Sequence, residues 1–316
     1  MIRNWAWLNG NWIDAEVLAI PVWDAGFVFG ATVTDLCRTI NHRLFRWAEH
    51  VQRFSKSAQL CKIPLPYSCD ELTATAQELV ARQTTMLGPS EDLALVMFAT
   101  PGSVTQYRPS IAPPNTTQSS GETLSTVGMH TFRLPLARYA RYWREGFRLV
   151  TAPVAPPPPE SVPRAAKHRS RLHYWLAQRF AEEICPGATA LLCDTDGCLL
   201  ETAFANLVLV RGNDLYSAPA ERILPGVSLQ CVAELAQRLG WKMHYRPLLA
   251  PDVAAAEEVF LTSSSFCLLP VSQLNEKRFP CPGPKAVRLM QAWSEMLAFD
   301  LLEQLSRAEV AAAASL

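Results

Sequence analysis

Proline, more than glycine, punctuates this chain, and its placement decides where regular structure can form. Of 316 residues 24 are proline and 14 glycine, and the prolines are clustered. Within PVAPPPPE (153–160), Pro156 to Pro159 are consecutive. Fixed φ angles and missing N–H groups make such a run extended and keep it out of a β-ladder. We read it as a connector between strand and helix, in preference to a ligand for a polyproline-binding domain. A second stretch, Thr100 to Thr123 (TPGSVTQYRPSIAPPNTTQSSGET), is rich in Pro, Ser, Thr and Gln without an apolar period. It predicts a long surface loop or linker.

Between these breaks the apolar period changes repeatedly. WLNGNW sets Asn9-Gly10 between two aromatic-rich runs, a hairpin signal. In Glu49–Lys62, Val51, Phe54, Ala58 and Cys61 fall at helical spacing, and Cys69–Met86 reads as a second helix. DLALVMFA (92–99) and GFRLVTAPV (146–154) predict strands, and Arg169–Glu183 an amphipathic helix. Residues 188–219 predict two linked hairpins turning at Asp196-Gly197 and Gly212-Asn213-Asp214. Helices at Ser228–Leu239 and Pro284–Leu305 flank a strand at Glu258–Thr262. No regular βαβ rhythm emerges, so the expected class is α+β in two domains, 1–128 and 129–316, with a linker near 120–140.

Composition narrows the function classes. The 49% hydrophobic content furnishes ample core, while 29 basic and 29 acidic residues cancel, so nothing favours nucleic acid as a partner. Nine cysteines, an odd number without a CxxC pair, predict neither a disulfide framework nor a zinc knuckle, but reduced and mostly buried thiols of a cytoplasmic protein. The N-terminal MIRNWAWLNGNW lacks a signal-peptide core, and no segment approaches the roughly 18 apolar residues of a membrane span. A soluble, intracellular protein is expected.

Candidate chemistry rests on a few positions. Lys167, in PRAAKHRSRLHYW, stands where a proline-extended segment meets a helix, and its neighbours His168, Arg169 and Arg171 are basic. Burial beside cations lowers a lysine pKa enough to make a nucleophilic amine; spacing alone leaves open an ordinary basic helix face. Glu201 follows an apolar hairpin strand, where a carboxylate is costly without a positive partner, although a solvent-facing strand residue gives the same pattern. Leu224-Pro225-Gly226-Val227-Ser228 opens a helix whose first-turn N–H groups suit an anion. Thr262 to Ser265 offers four hydroxyls after a strand, and Arg53 a guanidinium for a fork contact. A P-loop or GxGxxG pattern is absent.

The order of these pieces resembles the class IV pyridoxal-phosphate aminotransferases, the family of branched-chain aminotransferase, D-amino acid aminotransferase and aminodeoxychorismate lyase. The resemblance is carried by WDAGFVFGATVTDLCRT (23–39), LFRWAEHVQRFSKSA (44–58), PRAAKHRSRLHYWLA (163–177), LLETAFANLVLV (199–210), ILPGVSLQ (223–230) and EEVFLTSSSFCLLPV (257–271). It implies a two-domain fold type IV enzyme, with an α/β sandwich N-terminal domain, a β-barrel-like C-terminal domain, pyridoxal 5'-phosphate in the cleft between them, and a homodimer completing each site. By the same resemblance Lys167 forms the internal aldimine and shuttles the proton, and Glu201 binds the pyridine nitrogen. Arg53, Val227, Ser228 and Ser264 hold the phosphate, and Leu224 packs on one face of the ring. The implied activity is transamination between an amino donor and a 2-oxo acid. KHRSRL also resembles the lyase branch, which would release pyruvate by β-elimination, and a non-enzymatic member keeping the fold is the remaining alternative.

Two departures bear on the substrate. Pro101 stands where D-amino acid aminotransferase-like members have a carboxylate-clamping arginine, and Thr34 where the family usually has an aromatic residue. Arg38, Arg108 and Arg171 are candidates for the missing cation.

Overall fold

The computed structural model describes residues 4–109 and 125–314. Six strands build the first sheet: β1 (Trp5–Leu8), β2 (Asn11–Asp14), β3 (Val33–Ile40), β4 (Arg43–Leu44), β5 (Leu93–Thr100) and β6 (Thr126–Arg133). Their order is β2-β1-β6-β5-β3-β4, and every pairing is antiparallel. The predicted hairpin joins β1 to β2, with Asn9 and Gly10 both at positive φ (47° and 85°), as a tight turn matched to strand twist demands. One face of this sheet is covered by α2 (Trp47–Leu60) and α3 (Cys69–Thr84), preceded in the chain by the single turn α1 (Ala25–Val28). Phe54 of α2 and Leu72 and Leu79 of α3 meet Leu95, Met97 and Met129 of the sheet in one cluster. Ser68 and Glu71 form a reciprocal capping box that starts α3. Truncating a fully buried aromatic such as Phe54 to alanine costs roughly 3–5 kcal/mol.

The second sheet has eight strands: β7 (Phe147–Ala152), β8 (Thr189–Leu192), β9 (Asn206–Arg211), β10 (Asp214–Ser217), β11 (Lys242–Tyr245), β12 (Glu258–Ser263), β13 (Cys267–Leu274) and β14 (Lys277–Arg278). Residues 199–201 close it into a barrel. They pair with β8 on one side (Leu200 N–H to Leu192 O, 2.9 Å; Leu192 N–H to Glu201 O, 3.0 Å) and, through a Glu201–Asn206 bridge, with the start of β9 on the other. Alternation sorts the strand residues: Leu207, Leu209, Val259, Leu261, Leu269 and Val271 share one cluster, whereas Val208, Val210, Phe260 and Leu268 pack under helices. Those helices are α5 (Leu172–Ile184), α6 (Val227–Arg238) and α8 (Pro284–Leu297); α4 (Leu136–Glu145), α7 (Ala250–Ala255) and α9 (Leu301–Ala313) complete the set.

Several expectations need correction. The predicted linker near 120–140 contains β6 and α4, and the expected division at 128/129 falls inside β6, where Met129 pairs with Met97 and Trp7. Gly146, at φ 74°, marks the actual passage from α4 into the barrel. The single helix expected over Pro284–Leu305 is two, broken where Ala298 turns left-handed (φ 48°) and Asp300 caps α9 through the N–H groups of Leu302 and Glu303. The expected helix start at Arg169 moves to Leu172, because residues 167–169 lie extended beside β3. Of the Thr100–Thr123 loop, residues 110–124 lie outside the described residues. The nine cysteines are all free thiols. Among the described residues, no helix is long and apolar enough to cross a membrane.

Candidate active site

A cavity of about 200 Å³ opens between the first sheet and the barrel. The backbone of Lys167 is fixed there from the first domain: its N–H donates to Ser57 Oγ (3.0 Å) and its carbonyl accepts from Thr34 N–H (2.9 Å). Burial, reinforced by the Arg53 and Arg171 charges and opposed by Asp35 and Glu201, lowers the Lys167 amine to about 8. A neutral, nucleophilic amine is therefore accessible near neutral pH.

Glu201 enters the cavity from the segment that closes the barrel. Its carboxylate accepts from Tyr174 O–H (3.1 Å), Asn206 Nδ2 (2.9 Å) and the Leu224 N–H (3.2 Å). Burial nonetheless pushes the carboxyl up to about 7, outweighing the Leu224 N–H, Tyr174, and the Lys167 and Arg171 charges. A carboxylate so placed favours a cationic neighbour. Asn206 also donates to Leu224 O (3.0 Å), and a Cβ at Gly226 would collide with its Oδ1, so glycine is required where the chain turns into α6.

Anion-binding groups converge from three elements. No side chain caps α6 at Gly226, which leaves the first-turn N–H groups of Val227 and Ser228 to whatever enters the cavity. Ser228 and Ser264 line the cavity, and neither hydroxyl has a hydrogen-bond partner among the described residues. By contrast Thr262 spends its hydroxyl on Cys267 O (2.8 Å), and Ser263 and Ser265 pair with each other (3.2 Å). Arg53, its side chain 9% exposed, is gripped by Asp35 through two 2.8 Å contacts and reaches Pro225 O (3.2 Å) beside α6. Burial opposes ionisation of Asp35, yet Arg53 and His50 hold its carboxyl well below the usual range.

Lys167, Arg53, Glu201, Leu224, Ser228, Ser264 and Thr34 thus line one cavity; Val227, the buried first residue of α6, is not among its lining residues. Three expected substrate cations or contacts do not line it either. Arg38 is buried away from it, bonded to Thr39 O, Cys267 Sγ and Gln304 Oε1. Pro101 follows β5 outside the lining, and Arg108 is on the exposed surface. Arg171 does line the cavity. Sequence reasoning missed Asp35, His50, Tyr174 and Asn206. His50 was within reach, since His50 and Arg53 stand at the i, i+3 spacing of one helix face.

Known proteins resemble this chain over most of its length. The profile of the family Amino-transferase class IV matches residues 32–274, most of the chain. A D-alanine aminotransferase of Bacillus licheniformis is 25% identical over 87% of this chain and 91% of its own. A probable branched-chain-amino-acid aminotransferase of Rickettsia felis is 22% identical over 82% and 83%. Among solved structures, the Escherichia coli branched-chain amino acid aminotransferase superposes with a TM-score of 0.80 at 22% identity, covering 93% of this chain and 94% of that one. A T.th. branched-chain amino acid aminotransferase complexed with N-(5'-phosphopyridoxyl)-L-glutamate gives 0.78 at 24% identity, with 93% of each chain covered. These relatives are aminotransferases, so the β-elimination alternative is not favoured. The chain belongs to the class IV aminotransferases and is a pyridoxal-phosphate-dependent transaminase.

Proposed function

We propose that Lys167 is the amine that holds the cofactor and carries the proton during transfer of an amino group from an amino donor to a 2-oxo acid. The observation that carries this reading is one cavity faced by both a depressed amine, Lys167, and a buried carboxylate, Glu201. The donor set suits the cofactor at both ends. Val227 and Ser228 N–H groups, the Ser228 and Ser264 hydroxyls and the Arg53 guanidinium would hold a phosphate. Glu201 would hold the protonated ring nitrogen, and Leu224 would pack on one ring face. When bound, the cofactor supplies an aldehyde and a cationic heterocycle that accepts the electron pair left at the substrate Cα. Lys167 Nζ, lining the cavity as a partly neutral amine, would take and hold the substrate Cα proton. Tyr174 and Asn206 orient the Glu201 carboxylate by hydrogen bonds.

The reading extends to assembly and compartment. Phe27 and Phe29, at and just after α1, and Leu172, Trp175 and Leu176 of α5 are exposed. Ser170 Oγ ties the two regions together through Gly30 O (2.7 Å). An apolar face of this kind fits self-association into a homodimer, and nine free thiols fit the cytoplasm.

Borohydride reduction of the cofactor-loaded protein, followed by peptide mass spectrometry, is expected to label Lys167. Lys167→Ala is expected to take turnover to background while cofactor still binds through its phosphate. Label on another lysine, or turnover in the variant, defeats the assignment.

A further inference from the structure

We infer that Arg169 takes the substrate carboxylate and that the apolar groove beside it takes the substrate's side chain. The inference rests on the reading of Lys167 as the cofactor-bearing amine. Residues 167–169 run antiparallel to the start of β3: Thr34 N–H donates to Lys167 O (2.9 Å), His168 bridges Val33, and Arg169 N–H donates to Thr32 O (2.8 Å). Lys167, His168 and Arg169 all line the 200 Å³ cavity.

Arg169 also borders a second, open groove of about 320 Å³, walled by Leu18, Ile20, Val96, Phe98 and His130. Its Nη2 contacts Thr34 Oγ1 at 3.4 Å. The Thr34 hydroxyl donates to Met97 O (2.8 Å), so towards Arg169 it acts as acceptor and aims the guanidinium. Arg53, Arg164 and Arg222, the other arginines of the cavity apart from Arg171, each pair with a carboxylate. Among the described residues no carboxylate pairs with Arg169. Arg171 has none either, but its guanidinium donates to Ala203 O and lies over the Tyr174 ring at 5.0 Å. Arg169 is therefore the cavity arginine with its fork available for a bidentate carboxylate contact. The substrates that fit are 2-amino acids and matching 2-oxo acids whose side chain is apolar and long enough to enter the groove.

The test uses the cofactor-loaded enzyme and pentanoate, a carboxylate without an amino group, titrated against the cofactor's absorbance. Arg169→Gln is expected to weaken pentanoate about 10- to 100-fold, the loss of a charge-assisted hydrogen bond. Pentanamide is expected to bind weakly and equally to both proteins. KM for amino donor and oxo acid should rise together by a similar factor, with a smaller change in kcat, and Arg169→Lys should recover part of the loss. Lengthening the probe from acetate to hexanoate should tighten binding about 4-fold per methylene in both proteins, which reads the groove. Unchanged pentanoate affinity in Arg169→Gln, with borohydride still labelling Lys167, overturns this assignment alone. Loss confined to Arg171→Gln overturns it in favour of Arg171, no gain with probe length overturns the groove, and a wild type that holds no cofactor at Lys167 overturns both readings.

Discussion

Arg38 and Arg53 are both guanidiniums shut inside the molecule, and they differ in what lies beyond them. Arg38 meets only protein: Thr39 O at 2.9 Å, Gln304 Oε1 at 3.1 Å, Cys267 Sγ at 3.6 Å and Asp92 Oδ2 at 3.7 Å. Asp92 in turn accepts from Thr39 Oγ1 (2.5 Å), His42 N–H (3.0 Å) and Gln304 Nε2 (2.6 Å). This sealed cluster ties β3, β13 and α9 to one point. Arg53 is anchored by Asp35 just as firmly, but its remaining edge meets the α6 entrance and the cavity. A buried charge whose polar valences all close on the protein fixes structure; one with valences left over is available for a ligand.

The comparison breaks if the two clusters respond alike to mutation. Asp92→Ala strands the Arg38 charge and should cost about 3–5 kcal/mol of stability in urea denaturation, with cofactor affinity of the folded protein unchanged. A cost below about 1 kcal/mol would erase the distinction. Arg53→Ala should instead weaken cofactor binding by about 2–5 kcal/mol, measured by equilibrium dialysis; full retention at low cofactor would mean another cation holds the phosphate.

A pH experiment sharpens the open side. The Glu201 carboxyl is raised to about 7 against an ordinary 4.5, so the cofactor-free fold binds its proton more tightly than the unfolded chain. Its destabilising contribution is absent below about 4.5, grows as pH rises towards 7, and is full above that. The difference in stability between Glu201→Gln and wild type, both without cofactor, should therefore shift towards the variant by about 1–3 kcal/mol from pH 5 to pH 8. Cofactor should abolish that shift by supplying a cation; thermal melts at the two pH values check both statements.

Much of this molecule was legible in its residues, and the failures have physical causes. α2, α3 and the first hairpin announced themselves because one face of each is apolar and the other solvated. β6 and α4 did not: β6 follows the polar Pro/Ser tract directly, and α4 carries three arginines with only Leu136 and Ala140 fully buried. The α8/α9 break was hidden because Ala298 turns left-handed with neither glycine nor proline beside it. Order of motifs, through the family resemblance, singled out Lys167, Glu201, Ser228 and Ser264, which line one cavity and which no single residue pattern would have grouped. Arg38 was a candidate for its charge alone, and charge does not tell how far along β3 the side chain stands from Thr34. Four residues at about 3.3 Å each carry it roughly 13 Å along β3, from the cavity to the underside of α9.

Asn206 has a consequence for which guest can fit at all. Its one amide holds the Glu201 carboxylate (2.9 Å) and the Leu224 carbonyl (3.0 Å), and its oxygen forbids any side chain at residue 226. The span from carboxylate to helix start is thereby gauged by a single side chain, cut to length before anything arrives. A heterocycle with a shorter or longer arm to its anion would find one end unmet.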